Sequence, residues 1–383
     1  MERTILHLDL DTFFVSVERL LNARLTNLPL IIGGISDRGV VASCSYEARQ
    51  FGVHSGMPMR AARYLCADAV FIRGDMDQYT KYSRLVTEVI ADSAPVYEKA
   101  SIDEHYLDIS GMDRFFGSLK WSHELRLRII KETGLPISFG LSVNKTVAKI
   151  ATGEAKPNGE LSIIPHRVNE FLDPLSIQKI PMLGAKTAQT LQRMGVDTIS
   201  TLRQMPPEML TYVMGKNGLA IWKKANGIDH NPVVQYSERK SISSEHTFHQ
   251  DSIDMQLFNA LLLSMSERLA YDLRSKRKLC SVVTLKIRYA NFDTHTLQQC
   301  IAYTSFDHII IETVRSLFKR LYTRRMLLRL VGIKLSGLIE GVQQIDLFQH
   351  SEEMISLYQA MDSIRNRFGA KAIRRGAAFN IQG

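Results

Sequence analysis

The feature that most constrains this chain is the alternation in ILHLDLD, residues 5–11. On an extended backbone successive side chains point to opposite faces, so Leu6, Leu8 and Leu10 share one face while His7, Asp9 and Asp11 share the other. One face is core and the other carries acids. A second acidic stretch, SIDEHYLDIS at residues 101–110, sets Asp103 and Glu104 side by side among strand formers. Two like charges about 4 Å apart repel by roughly 4 kcal/mol at the effective dielectric of a protein surface, so the pair needs water, a protonated member or a cation. A solvated hairpin would satisfy a lone pair of this kind without any function.

The rest of the first half alternates strands and helices. Residues 16–25 read as a short helix, LPLIIGG as an apolar strand ended by glycines, and VVASCSYEARQFGV as a strand running into a helix. DQYTKYSRLVTEVIADSAP has helical spacing up to Pro95, and residues 96–110 form a hairpin. SLKWSHELRLRIIKETG, LPISFGLS and NKTVAKIATGEA continue as helix, strand and helix. This order predicts an α/β sandwich with helices packed on one sheet. Further on, IQKIPMLGAKTAQTLQRMG and VDTISTLRQM read as two helices around a tight turn, followed by another pair. GIDHNPVVQYSERKSISSEHTF, with prolines and little periodicity, reads as a linker. A long amphipathic helix (MQLFNALLLSMSERLAYDLRSKR), the strand CSVVTLKIRY, a helix with RSLFKRLY and the strand LLRLVGIKLSGL then make a compact α/β unit.

Composition narrows the class. A chain of 383 residues exceeds what a single core usually supports, about 250–300 residues. Cys44, Cys66, Cys280 and Cys300 are far apart with no C-x-x-C pair, which argues against a zinc site or a disulfide framework and for a reducing compartment. No apolar run approaches the roughly 18 residues of a membrane span, so a soluble, unsecreted protein is expected. The net charge is +9, and from Arg239 to Gly337 there are 16 Lys and Arg against 8 Asp and Glu. A basic surface aids solubility, but an excess concentrated on a separate unit points to nucleic acid.

The strings DLDTFFVSVE, SYEARQFGVHSGMPM, SIDEHYLD and FGLSVNKTVAKIATGEAKPNG, in this order, resemble the Y-family translesion DNA polymerases, the DinB-like branch in particular. The resemblance implies an α+β multidomain fold, a right hand whose ferredoxin-like palm comprises residues 1–20 and 75–165. Small fingers would span 21–74, a helical thumb with a helix-hairpin-helix 166–231, a linker 232–242 and an α/β little finger 243–340. It also implies a template-directed DNA polymerase of low fidelity. Such an enzyme performs translesion synthesis by two-metal phosphoryl transfer and has no proofreading exonuclease.

The residues suit that chemistry. If the two acidic segments pair in one sheet, Asp9 joins Asp103 and Glu104, and three converging carboxylates need cations; hard oxygen ligands select Mg²⁺. By resemblance these acids are catalytic and hold two Mg²⁺ ions, with Mn²⁺ as a substitute, helped by the main-chain carbonyl of Leu10. Asp11 and Asp108 are assigned structural or outer roles. Tyr46 and Arg49, three apart on a helix, share a face, and Arg can fork onto phosphate oxygens. By resemblance they bind the incoming nucleotide together with Lys156 and Ser43. Phe14 matches the steric gate that rejects a 2′-hydroxyl; Phe13 beside it reads as core as well as part of the nucleotide pocket. His105 faces away from Glu104 and reads as packing or DNA-adjacent. IPMLGAKTAQTL resembles the thumb hairpin, whose Gly184 and Lys186 would meet a DNA phosphate, although Met182 stands where the family usually has glycine. Arg239 and Lys240 would lie along the template backbone.

QQIDLFQ, residues 343–349, matches the pattern by which bacterial polymerases engage the sliding clamp (beta), with Gln344 as polar hook and Leu347 and Phe348 as apolar anchors. Residues 341–383 thus read as a clamp-binding motif and tail. The tail, with the amphipathic stretch ISLYQAMDSIRNRFG, partly resembles the UmuC-like branch. The implied partners are primer–template DNA, a dNTP and the clamp, with no membrane; a monomer in the bacterial cytoplasm, associated with the nucleoid, is expected. A two-metal nuclease would use similar acids but not Tyr46, Arg49 and Lys156. A nucleotide cyclase would not need the basic C-terminal unit, and a non-catalytic DNA-binding subunit would not need all three acids.

Overall fold

The computed structural model describes residues 3–112, 117–236, 238–341 and 351–369, with 372, 373, 375 and 376. The chain divides into two units, Met1–Ser237 and Glu238–Gly383, at a point inside the segment read as a linker.

The strands of the first unit are β1 (Ile5–Leu10), β2 (Leu30–Gly33), β3 (Val41–Cys44), β4 (Val70–Ile72), β5 (Tyr97–Lys99), β6 (Glu104–Asp108), β7 (Ile137–Ser142) and β8 (Glu160–Ser162). Five of them form a sheet in the order β5-β6-β1-β7-β8. The alternating strand β1 lies at its centre, antiparallel to both β6 and β7. Its leucines pack beneath helices Met76–Ser93 and Ser118–Thr133, with Val86, Ile90, Leu125 and Ile129 in the same cluster. Helix Lys145–Ala155 lies across the opposite face of β1 and β7. Gly140 on β7 makes this approach possible, because a Cβ there would sit 2.2 Å from the Ala148 carbonyl oxygen.

This helix gives the sheet helical packing on both faces. It covers the acid-bearing face as far as His7, which is fully buried, and leaves Asp9 at the open end. β1 stops at Leu10, Thr12 turns in the left-handed region at φ 42°, and helix Phe13–Leu21 begins three residues earlier than its periodicity indicated. Asp11 therefore sits in a turn rather than on the strand.

Strands β3-β2-β4 form a small separate sheet whose core includes Ile31, Val41, Cys44, Val53 and Met59. Beyond it, helices Ala185–Arg193, Ile199–Gln204, Pro207–Met214 and Lys216–Ala225 close around Leu191, Ile199, Leu202 and Leu210.

The second unit contains β9 (Ser241–Ser252), β10 (Lys278–Tyr289), β11 (Thr294–Thr304), β12 (Leu328–Ser336) and the short β13 (Ile339–Glu340). The antiparallel order is β11-β10-β12-β9, and helices Met255–Ser275 and Asp307–Leu321 share its core. Periodicity did not reveal β9 or β11. Both are edge strands with one paired neighbour, and SISSEHTFHQDS buries only Ile242 and Phe248 among its apolar positions.

The C-terminal helix Ser351–Phe368 docks by a polar face. Arg274 donates to both carboxylate oxygens of Asp362, at 2.6 and 3.0 Å, and to Asp307 at 2.6 Å, and its guanidinium lies 4.8 Å from the centre of the Tyr358 ring.

Candidate active site

Strand register brings the acids together. Asp9 on β1 is the direct cross-strand partner of Glu104 on β6, and the Leu10 N–H donates to the Asp103 carbonyl at 3.1 Å. A cleft of about 240 Å³ opens at this end of the sheet. Asp9, Leu10 and Asp103 line it from the sheet, Phe13 and Phe14 from the first helix, Ser43 and Arg49 from the small sheet and its following helix, and Lys156 from a loop. Thr12, Ala42 and Ser55 complete the wall, none of them singled out from the sequence.

Strand register sets Asp9 beside Glu104, and each of the three acids has its own partner. Among the described residues no three His, Cys, Asp or Glu side chains are grouped to hold a metal ion. Mutual repulsion is relieved instead by separate partners. Asp9 takes the Lys156 ammonium at 2.5 Å, Asp103 accepts the Ser101 hydroxyl at 2.5 Å, and Glu104 is paired with Lys149 and approached by His7 at 3.7 Å. Lys149, on the helix covering the sheet, had no signal in the sequence beyond its place in the NKTVAKIA string.

Burial, reinforced by the Glu104 and Asp103 charges and opposed by Lys156, pushes the Asp9 carboxyl up to about 6. Burial would raise Glu104 as well, but the nearby His7 imidazole and the Lys149 ammonium outweigh it and bring that carboxyl down to about 2. His7 is lowered to about 4 by burial and is neutral at pH 7. A carboxyl raised partly by two acidic neighbours is one that a cation would relieve, and the hard oxygens of Asp9, Asp103 and Glu104 are the donors a divalent ion prefers. The residues present fit such an ion.

Asp11 is buried and saturated. It accepts the Ser138 hydroxyl at 3.0 and 2.9 Å and the Asn158 N–H at 2.6 Å, and the Tyr46 hydroxyl lies 3.5 Å away. Asp108, far along β6, binds the backbone and hydroxyl of Ser110 at 3.1 and 2.5 Å. Tyr46 and Arg49 share a helix face, the guanidinium lying 5.0 Å from the ring centre, and Arg49 is the one that reaches the cleft. Phe13 is a core residue at the cleft floor, 3% exposed, whereas Phe14 stacks on Tyr79 at 4.2 Å. His105 is buried and meets the Thr87 hydroxyl at 3.0 Å, which favours packing over the DNA-adjacent alternative.

The profile of the impB/mucB/samB family matches residues 8–153, and the profile of that family's C-terminal domain matches residues 239–347. DNA polymerase IV of Dehalococcoides mccartyi is 36% identical over 99% of this chain and 98% of its own length. DNA polymerase IV of Desulfatibacillum aliphaticivorans is 36% identical over 98% and 97%, and DNA polymerase IV 2 of Methanosarcina mazei 34% over 88% and 93%. The chain belongs to the Y-family DNA polymerases.

The fold of this Y-family polymerase agrees with its sequence. A chimera of the Y-family polymerases Dbh and Dpo4 superimposes with a TM-score of 0.76 at 25% identity, covering 88% of this chain and all of the other. Dbh polymerase in an insertion ternary complex superimposes with a TM-score of 0.64 at the same identity and coverage. The protein is thus a DNA-directed DNA polymerase. Gly184 caps helix Ala185–Arg193, and Lys186 is exposed on its first turn. Met182 adopts φ 68° and is 95% exposed, a left-handed backbone that glycine would hold without strain. Arg239 and Lys240 are exposed just before β9. Gln344, Leu347 and Phe348 lie outside the described residues. Among the described residues no helix is long and apolar enough to cross a membrane.

Proposed function

We propose that this polymerase binds primer–template DNA and a dNTP and performs low-fidelity translesion synthesis without proofreading. The observation that carries the reading is the single cleft uniting Asp9 and Asp103 with Phe14, Arg49 and Lys156. A hydrolase has no use for a ring beside two phosphate-binding cations, whereas a polymerase must read a sugar and hold a triphosphate at once. The Dbh relative captured as an insertion ternary complex supports the same partners.

Asp9, Asp103 and Glu104, with the Leu10 carbonyl, would hold two divalent ions, Mg²⁺ or in its place Mn²⁺. Such ions make the primer 3′-hydroxyl a stronger nucleophile and offset charge on the leaving pyrophosphate. Arg49 forks onto phosphate oxygens, Lys156 adds a point charge, Tyr46 and Ser43 add hydroxyl donors, and the Phe14 ring excludes a 2′-hydroxyl. Gly184 and Lys186 of the thumb and Arg239 and Lys240 contact DNA backbone. Gln344, Leu347 and Phe348 engage a bacterial sliding clamp, and the protein works as a monomer in the cytoplasm, at the nucleoid.

Asp9→Ala and Glu104→Ala should each abolish primer extension while primer–template affinity stays within about threefold of wild type, because DNA grip is assigned elsewhere. An equal loss of affinity and activity would overturn the assignment. Wild-type protein given Mg²⁺ and a mismatched primer without dNTPs should leave the end uncut. Trimming that vanishes in Asp9→Ala would favour a two-metal nuclease.

A further inference from the structure

We propose that Arg126 is a positioning residue that fixes the loop carrying Lys156, and through it the grip on the nucleotide phosphates. The inference rests on the reading that Lys156 binds the triphosphate.

Arg126 belongs to helix Ser118–Thr133 and is 7% exposed. A guanidinium that leaves water must find an acceptor for each N–H, or its burial is costly. Here the fork spans two structures. Nε donates to the Ile137 carbonyl at 2.8 Å, at the start of β7, and Nη1 donates to Glu160 at 2.8 Å, on β8. Nη2 donates to the Asn158 carbonyl at 2.7 Å and to its side-chain Oδ1 at 2.6 Å. Asn158 adopts φ 50°, a left-handed conformation that asparagine takes more readily than most L residues and that the fork holds in place.

The same residue is clipped from the other side. Its N–H donates to Asp11 at 2.6 Å, and the neighbouring Gly159 N–H donates to Ser138, which also binds Asp11. Asp11 lies in the turn leading to Phe14. The loop is therefore held between a buried arginine and the turn that bears the gate. Lys156, two residues before Asn158, leaves this fixed point to reach Asp9 at 2.5 Å and Asp11 at 3.7 Å. A lysine is a point charge on a flexible stem, so its aim depends on where its backbone is anchored. None of the atoms of Arg126 enters the cleft, so its effect on substrate must pass through the loop.

The test is steady-state primer extension with dNTP varied, on wild type, Arg126→Lys, Lys156→Ala and the double variant, with thermal melting of each. Arg126→Lys keeps charge and stem but loses the fork; it should raise KM for dNTP about tenfold with kcat within about twofold. Added to Lys156→Ala it should raise KM little further, because the two act in series. Glu160→Gln, which meets the guanidinium from β8 rather than from the loop, should lower the melting temperature and leave KM unchanged. If Arg126→Lys does not fold, Asn158→Gly serves in its place: it tolerates the positive φ, removes only the Oδ1 contact, and should raise KM about threefold. A normal KM in Arg126→Lys beside a raised one in Lys156→Ala overturns the Arg126 assignment alone. A normal KM in Lys156→Ala overturns the triphosphate reading and the inference with it. A KM that rises in Glu160→Gln in step with lost stability shows a merely structural role and overturns the proposal.

Discussion

The Phe14 ring lies face to face with the Tyr79 ring, centroids 4.2 Å apart and planes 11° from parallel, and the Tyr79 hydroxyl donates to Glu18 at 2.5 Å. A gate is only as discriminating as it is rigid. Tyr79 is fully buried in helix Met76–Ser93, so Phe14 is backed by a side chain that cannot retreat. Phe14→Ala should raise ribonucleotide incorporation relative to deoxynucleotide by about a hundredfold, read from single-nucleotide insertion with each substrate. Tyr79→Phe keeps the stack and loses the hydrogen bond, so it should cost about 2 kcal/mol of stability in denaturant melts and leave the sugar ratio unchanged. An unchanged ratio in Phe14→Ala would move the gate elsewhere.

Asp9 gives the protein a pH signature. Its folded value of about 6 lies above the ordinary carboxylate value, so the unfolded chain ionises first. The protonated carboxyl therefore contributes stability that is full below about pH 4 and lost as pH rises through about 6. Thermal melts without divalent ion should show a decline in this window on the order of 2 kcal/mol, and the decline should be missing in Asp9→Asn. Added Mg²⁺ should recover this loss in wild type above pH 6 and leave the melting of Asp9→Asn unchanged. Equal pH profiles for the two proteins would place the carboxyl's titration elsewhere.

The C-terminal helix depends on Arg274. Removing Arg274 leaves Asp307 without its ion pair and Asp362 with Arg365 at 3.5 Å, and costs about 3 kcal/mol or more. Arg274→Ala should abolish amide-exchange protection across Ser351–Phe368 while the strands of the second unit stay protected. Retained protection would show that Tyr358, buried in the same contact, suffices.

For the proposed clamp contact, Leu347→Ala combined with Phe348→Ala should leave extension on short DNA near wild type and remove stimulation by a bacterial clamp on circular primed templates. Undiminished stimulation would place the contact elsewhere. Loss of basal activity would mean that these side chains belong to the folded unit.

The periodicity of residues 5–10 and the long helix Met255–Ser275 were legible because each pattern is local: the face a residue buries follows from its neighbours in the chain. The site residues Asp9, Asp103, Arg49, Lys156 and Phe14 were legible through family strings, and the cleft unites them. Strands β9 and β11 were not, because their burial alternates but many of the inward positions are polar and only half-buried.

By itself the sequence determined which segments are strands and helices over most of the chain, and which residue types stand at each motif position. Tertiary structure alone decided that Glu104, beside Asp9, takes Lys149 as its ion-pair partner, that Tyr79 backs Phe14, and that Arg126 anchors the Lys156 loop. The physical reason is range. Lysine, tyrosine and arginine on a helix carry no local mark of their partner, and strand register and helix packing bring in that partner from dozens of residues away.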